Sequence, residues 1–157
     1  MTQDFSIEEL NAFSVQAKAA TYVGSGAESQ PSRPGSHDLE YHAGDFAYLD
    51  SYFGGADFLG QEVVYYKDEA VWAMNYYGRI LKPEKITAAE AGQVIKASLT
   101  RMYAEGRFLG GFTCETHGSV YRDTNEGNIA SFKGMEWIER GGETVYELVY
   151  HGGLVKY

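Results

Sequence analysis

Two stretches decide how this chain folds: FLGQEVVYYKDEAVWAMNYYGRI, from Phe58 to Ile80, and FKGMEWIERGGETVYELVYHGGL, from Phe132 to Leu154. Each joins two runs rich in Val, Tyr and other β-formers through a short turn, Lys67-Asp68-Glu69 in one and Arg140-Gly141-Gly142 in the other, the composition of a β-hairpin. At a shift of 74 positions (58 to 132) they align without a gap. Gly60 then meets Gly134, Glu62 meets Glu136, Val71 meets Val145, Tyr76 meets Tyr150 and Gly78 meets Gly152, against roughly one or two identities expected by chance. Val64 and Ile138, Trp72 and Tyr146, and Met74 and Leu148 are similar pairs. One position nearer, Tyr48 and Asp50 meet Tyr121 and Asp123.

Outward from these hairpins, the flanking segments follow the same order twice. SIEELNAFSVQAKAA and TAAEAGQVIKASLTRMYAEG each begin with capping-box spacing, Ser6 with Glu9 and Thr87 with Glu90, followed by apolar residues at helical intervals. β-prone runs follow each: DLEYH, DFAYLDSYF, QEVVYY and AVWAMNYY in the first half; RFLGGFTCET, GSVYRD, GMEWIER and TVYELVYH in the second. The expected architecture is a single α+β domain over residues 1–157, an internal duplication of a helix-plus-antiparallel-meander unit related by a pseudo-two-fold axis. The first repeat runs about 5–81 and the second about 86–157. The Gly/Ser/Pro-rich segment about 24–36 reads as an exposed, mobile loop. Two ordinary hairpins that both need Tyr, Val and Gly would look alike in the same way, and that alternative stays open at this point.

Composition narrows the function classes. The 157 residues carry 22 acidic against 13 basic side chains, a net charge of −9 without a basic run, so direct nucleic-acid binding is not expected. No apolar segment is long enough to span a bilayer. The single Cys114 leaves no intramolecular disulfide and the chain opens with no charged-then-apolar leader, so the expected location is cytoplasmic. His37, His42, His117 and His151 form no paired metal-ligand spacing, and the Gly-Gly pairs begin no phosphate-loop pattern. No catalytic residue, metal ligand or cofactor is assigned.

The candidate site comes from the hairpins. Alternation along a strand puts Phe58, Gly60, Glu62 and Val64 on one face, and Phe132, Gly134, Glu136 and Ile138 likewise. A carboxylate among apolar neighbours costs several kcal/mol unless it is hydrogen-bonded, paired or protonated. One reading is structural, each Glu bonding backbone donors or a nearby Arg79 or Arg107. The functional reading takes Glu62 and Glu136 as charge partners in a cleft walled by Trp72, Tyr76, Tyr146 and Tyr150, near Tyr48 and Tyr121. Asn75 adds a polar contact, and Asp50 is a further acid. Aromatic walls with carboxylates suit a cationic or amphipathic small molecule.

The series YLDSYFGGADFLGQEVV, VWAMNYYG and VYELVYHGG resembles a bacterial and archaeal domain-of-unknown-function family, number 5680 in that series. The matching residues are Asp50, Ser51, Phe53, Gly54, Gly55, Phe58, Gly60, Glu62, Trp72, Met74, Asn75, Tyr76 and Gly78. The resemblance implies a stand-alone protein of this length or the portion attached behind a helix-turn-helix segment in regulators, hence a sensor role. This chain departs from the second context, since no separate DNA-binding segment is legible. At fold level only, the duplicated layout is similar to effector-binding domains of the gyrase-inhibitor-like group, which bind amphipathic ligands around an acidic residue. The leading expectation is a non-enzymatic small-molecule-binding domain. A hydrolase or isomerase using Asp50 with one Glu is the second reading. An acidic interaction protein, a homodimer with an exposed apolar patch and no concave site, is the third.

Overall fold

The computed structural model describes residues 4–157. Helix α1 (Ile7–Ala20) precedes strands β1 (His37–Ala43), β2 (Phe46–Gly54), β3 (Phe58–Tyr66) and β4 (Glu69–Ile80); helix α2 (Ala88–Ala104) precedes β5 (Phe112–Thr116), β6 (Ser119–Asn128), β7 (Ser131–Arg140) and β8 (Glu143–Leu154). The fold is α+β. All eight strands form one antiparallel sheet in the order β1-β2-β3-β4-β8-β7-β6-β5. The two meanders therefore join through their last strands, with Tyr76 directly opposite Tyr150.

Both helices start where the caps place them. Ser6 Oγ accepts from the Glu9 amide at 3.1 Å while Glu9 accepts from the Ser6 amide at 2.7 Å, and Thr87 with Glu90 repeats the box at 3.2 and 2.8 Å. The stripe Leu10, Phe13 and Ala17 of α1 and the stripe Ala91, Val94, Ile95, Leu99 and Met102 of α2 are buried, so burying them on the sheet supplies most of the stability of these short helices. The Arg140-Gly141-Gly142 turn places Gly141 and Gly142 at φ 58° and 79°, the left-handed pair a tight hairpin needs. At the equivalent β3–β4 turn, Lys67 and Asp68 hold φ 49° and 67° without glycine's freedom.

Three local expectations change. RFLGG at 107–111 is not strand: Gly110 and Gly111 take φ 101° and 78°, and Phe108 turns into the core against Trp72 and Phe132. β6 instead runs on through Thr124–Asn128, where the Asn-rich sequence gave no strand signal, because β7 pairs with it as far as Ser131. The segment 24–36 is exposed along most of its length but is tied down at Asp38, whose carboxylate accepts from the Ser32 amide at 3.0 Å and from Ser36 and Ser51 hydroxyls at 2.8 Å each. A Ser29–Asp38 bridge adds a backbone contact.

Both helices lie on one face of the sheet and the core fills the space between. On the other face Leu59, Tyr77 and Val149 are exposed side by side on β3, β4 and β8. Among the described residues no helix is long and apolar enough to cross a membrane.

Candidate functional site

The site is built by glycines that make room for rings. In the β3–β4 ladder Phe58 faces Gly78 and Gly60 faces Tyr76; in the β7–β8 ladder Phe132 faces Gly152 and Gly134 faces Tyr150. A Cβ on Gly60 would strike the phenol end of Tyr76, and one on Gly134 that of Tyr150. A Cβ on Gly78 would lie 2.6 Å from the Phe58 ring, and one on Gly152 3.0 Å from the Phe132 ring. Each aromatic side chain thus lies across the glycine of its neighbour strand, the pairing by which rings compensate for glycine in sheets. Laid down in this way, Tyr76 donates to Asp50 Oδ1 at 2.6 Å and Tyr150 donates to Asp123 Oδ1 at 2.7 Å.

Each of these aspartates pairs across the ladder with a glutamate, Asp50 with Glu62 and Asp123 with Glu136. Tyr48 donates to Glu62, and Tyr121 to Glu136. All four carboxyl groups are buried beneath the helices. At this level of detail the halves match, and then they diverge. Lys18 of α1, 4% exposed, donates to both oxygens of Glu62 at 2.8 and 3.0 Å. Its ammonium lies 4.7 Å from the Phe108 ring centroid and 5.8 Å from Trp72, cation–π contacts of ordinary length. Glu136 receives a second phenol instead, Tyr146 at 3.1 Å.

Between helices and sheet lies a cavity of about 400 Å³, of the size that holds small organic ligands. Lys18, Glu62, Asp50, Glu136 and Asp123 line it, with Tyr22, Tyr48, Tyr76, Tyr103, Tyr146 and Tyr150 among its rings. Exposed Gly54, Gly55, Ala56 and Lys96 stand at its rim. Among the described residues no protein group donates to the Oδ2 oxygen of either aspartate. Among the described residues the one fully enclosed side-chain polar atom without a partner is Ser14 Oγ, so both Oδ2 atoms open onto the void rather than into packed protein.

Electrostatics follow from this geometry. Burial first, and the charge of Glu62 second, push Asp50 up to about 7; the Tyr76 hydrogen bond and Lys18 offset only part of that. Burial and then Glu136 raise Asp123 to about 7 against Tyr150, Arg107 and Lys18. Burial also raises Glu136, opposed by its two phenols and by Lys18. The phenols of Tyr48, Tyr121 and Tyr146 are driven well above the usual tyrosine range, chiefly by burial and then by the carboxylates beside them. They remain hydrogen-bond donors.

Of the residues expected at the site, Glu62, Glu136, Asp50, Tyr76, Tyr146 and Tyr150 line the cavity. Two lie elsewhere. Trp72 is fully buried beyond it, stacked on Phe132 at 5.8 Å with its indole N–H given to the Ile129 carbonyl. Asn75 is exposed on the opposite face, accepting from Gln61 at 2.9 Å; as the strand neighbour of Tyr76 it must point away from it. Neither candidate arginine reaches a buried glutamate, since Arg79 pairs with Glu147 and Arg107 with Glu105. Sequence reasoning missed Lys18 as the partner of Glu62, and the roles of Tyr22 and Tyr103. Asp123 was aligned with Asp50 but not placed in the site.

No curated protein and no solved structure matches the chain, so the fold analogy with gyrase-inhibitor-like domains gains no support from comparison. The profile of a domain of unknown function, DUF5680, matches residues 50–155, which contain both glycine–aromatic ladders and the four acids that line the cavity. On that match the chain belongs to the DUF5680 family.

Proposed function

We propose that this protein is a small-molecule-binding domain of sensor type whose cavity takes a cationic or amphipathic organic ligand. The observation that carries the reading is the pair of buried aspartates, 3% and 5% exposed for Asp50 and Asp123, each turning an unclaimed carboxyl oxygen into an enclosed aromatic space. A protein that needed these acids only for folding would satisfy both oxygens of each. An organic cation supplies the missing donors and charge, and the rings supply apolar and cation–π contact.

The same reading takes the chain as a duplicated α-β4 unit with a pseudo-two-fold axis between β4 and β8. The mirrored strand order and the repeated ring-over-glycine pairs support it. A cytoplasmic location and the bacterial setting of helix-turn-helix regulators fit a metabolite sensor and are part of the proposal.

A thermal-shift screen against aromatic amines, cationic amphiphiles, neutral metabolites and divalent metals tests it. A ligand at 100 times its Kd stabilises the fold by about 2.7 kcal/mol, or about 5–10 °C in Tm. Stabilisation by organic cations, lost in a folded Glu136→Gln variant, is the expected result. Indifference to every cation in the panel sinks the reading.

One observation favours a second reading, a hydrolase or isomerase. Asp50 stands opposite Glu62 and is raised to about 7, the range of a general base. Mass spectrometry of each stabilising compound after incubation decides it: a change in mass that Asp50→Asn abolishes makes the domain an enzyme.

A further inference from the structure

The two unclaimed aspartate oxygens are not equivalent, because the protein brings its own ammonium to one side. Asp50 shares its rung with Glu62, and Lys18 already occupies both Glu62 oxygens. Asp123 shares its rung with Glu136, which is held by the neutral hydroxyls of Tyr121 and Tyr146. The deep part of α2 that lines the cavity contributes Leu99 and Tyr103, neither of them cationic, while its one lysine there, Lys96, is exposed at the rim with its ammonium over the Tyr22 ring. The guanidinium of Arg107 is committed to Glu105 and to the Leu109 and Gly111 carbonyls. Counted as ionised groups in direct contact, the first rung carries two negative charges and one positive, and the second carries two negative charges that Lys18 and Arg107 reach only at a distance.

Resting on the ligand-binding reading above, the geometry points to Asp123 as the seat of a protonated amine. The amine donates an N–H to Asp123 Oδ2, Glu136 stands as the second charge, and the organic body lies among Tyr150, Tyr146 and Tyr103. The 5% exposure of Asp123 shields this seat from bulk solvent, so an N–H donor gains more there than a charge without one. The ligand class is accordingly a primary or secondary ammonium, or an amidinium, on an aromatic or aliphatic body, rather than a quaternary ammonium. At the other end Lys18 repels cations, so a neutral or acceptor-bearing end of the ligand faces it.

Phenethylammonium and its N,N,N-trimethyl analogue carry the same charge and differ in N–H donors, which makes them a matched pair of probes. Calorimetric titration of the full chain should show phenethylammonium binding at least about 10-fold tighter than the trimethyl compound, the worth of one charge-assisted hydrogen bond. Asp123→Asn should abolish that preference, whereas Asp50→Asn should weaken binding by about 3-fold or less, through lost charge at a distance. A crystal structure of the wild-type complex decides the point even where a variant fails to fold, with the ammonium nitrogen about 3 Å from Asp123 Oδ2. Equal affinity for the two probes, a larger loss in Asp50→Asn, or a nitrogen seated at Asp50 overturns the assignment while leaving the cavity a ligand site. If no organic cation of the wider panel binds, the ligand-binding reading falls as well.

Discussion

The first half of the molecule neutralises its buried glutamate with a lysine, and the second half leaves its own to phenols. Everything below that level is shared: ring over glycine, tyrosine to aspartate, tyrosine to glutamate. The difference comes from one helix position, Lys18, and one strand position, where the first half has Trp72 and the second has Tyr146. A buried ion pair of this kind is weak evidence for stability, since hydrophobic replacements often serve as well. Glu136, held by two phenols and reached by Lys18 only at a distance, is weaker still as a folding device, which fits the proposed seat of the ligand in the second half.

The largest effect should come from breaking the first half. Lys18→Met leaves Glu62 buried without its ammonium and should cost about 3–5 kcal/mol in chemical denaturation. Adding Glu62→Gln should restore most of it, and failure to restore would mean that Lys18 matters for packing rather than for charge. Gly60→Ala and Gly134→Ala should each cost about 1–3 kcal/mol, because the new methyl displaces the tyrosine that lies over it. Gly92→Ala, where a Cβ meets no atom within 4 Å, should be neutral or stabilising by up to about 1 kcal/mol as a helical replacement. A similar loss at all three positions would remove the ring-over-glycine explanation.

The pH dependence of stability sharpens the comparison further. Asp50 and Asp123 rise from an ordinary value of 3.8 to about 7 in the folded chain. Between these values the folded state holds more protons than the unfolded one, so this contribution to stability is lost as pH rises through that window and stays lost above it. The Asp50→Asn/Asp123→Asn double variant should therefore gain on the wild type as pH increases from about 4 to 8, by several kcal/mol at the upper end. Parallel stability curves for the two proteins would show that the aspartates titrate normally. Smallest is the turn comparison: replacing Lys67-Asp68 by Asn-Gly should stabilise by about 0.5–1 kcal/mol by relieving two left-handed residues.

How much of this could be read in advance follows from range. The helix starts were legible because a capping box is complete within four residues, and the hairpins because period-two alternation and turn glycines are local. Glu62 and Glu136 were legible as anomalies, acids on an apolar face. Gly60 and Gly134 were visible as matching positions, but their reason is a ring arriving from the next strand. Lys18 was hidden because its partner lies 44 residues away and a helical lysine is ordinarily solvated. A signal existed in the row Leu10, Ser14, Lys18, spaced by four on the buried side of α1. Strand alternation by itself excludes Asn75 from the face of Tyr76, and the structure puts it on the exposed face.

A carboxyl left for a cation to complete should change its titration when the cation arrives, and carbon-13 NMR of the Asp123 side chain, titrated with and without saturating phenethylammonium, reads that change. Asp123 should titrate with a midpoint near 7 in the free protein, falling when the amine binds as the ionised form gains its partner. A midpoint near the ordinary 3.8, unmoved by the amine, would contradict the seat at Asp123.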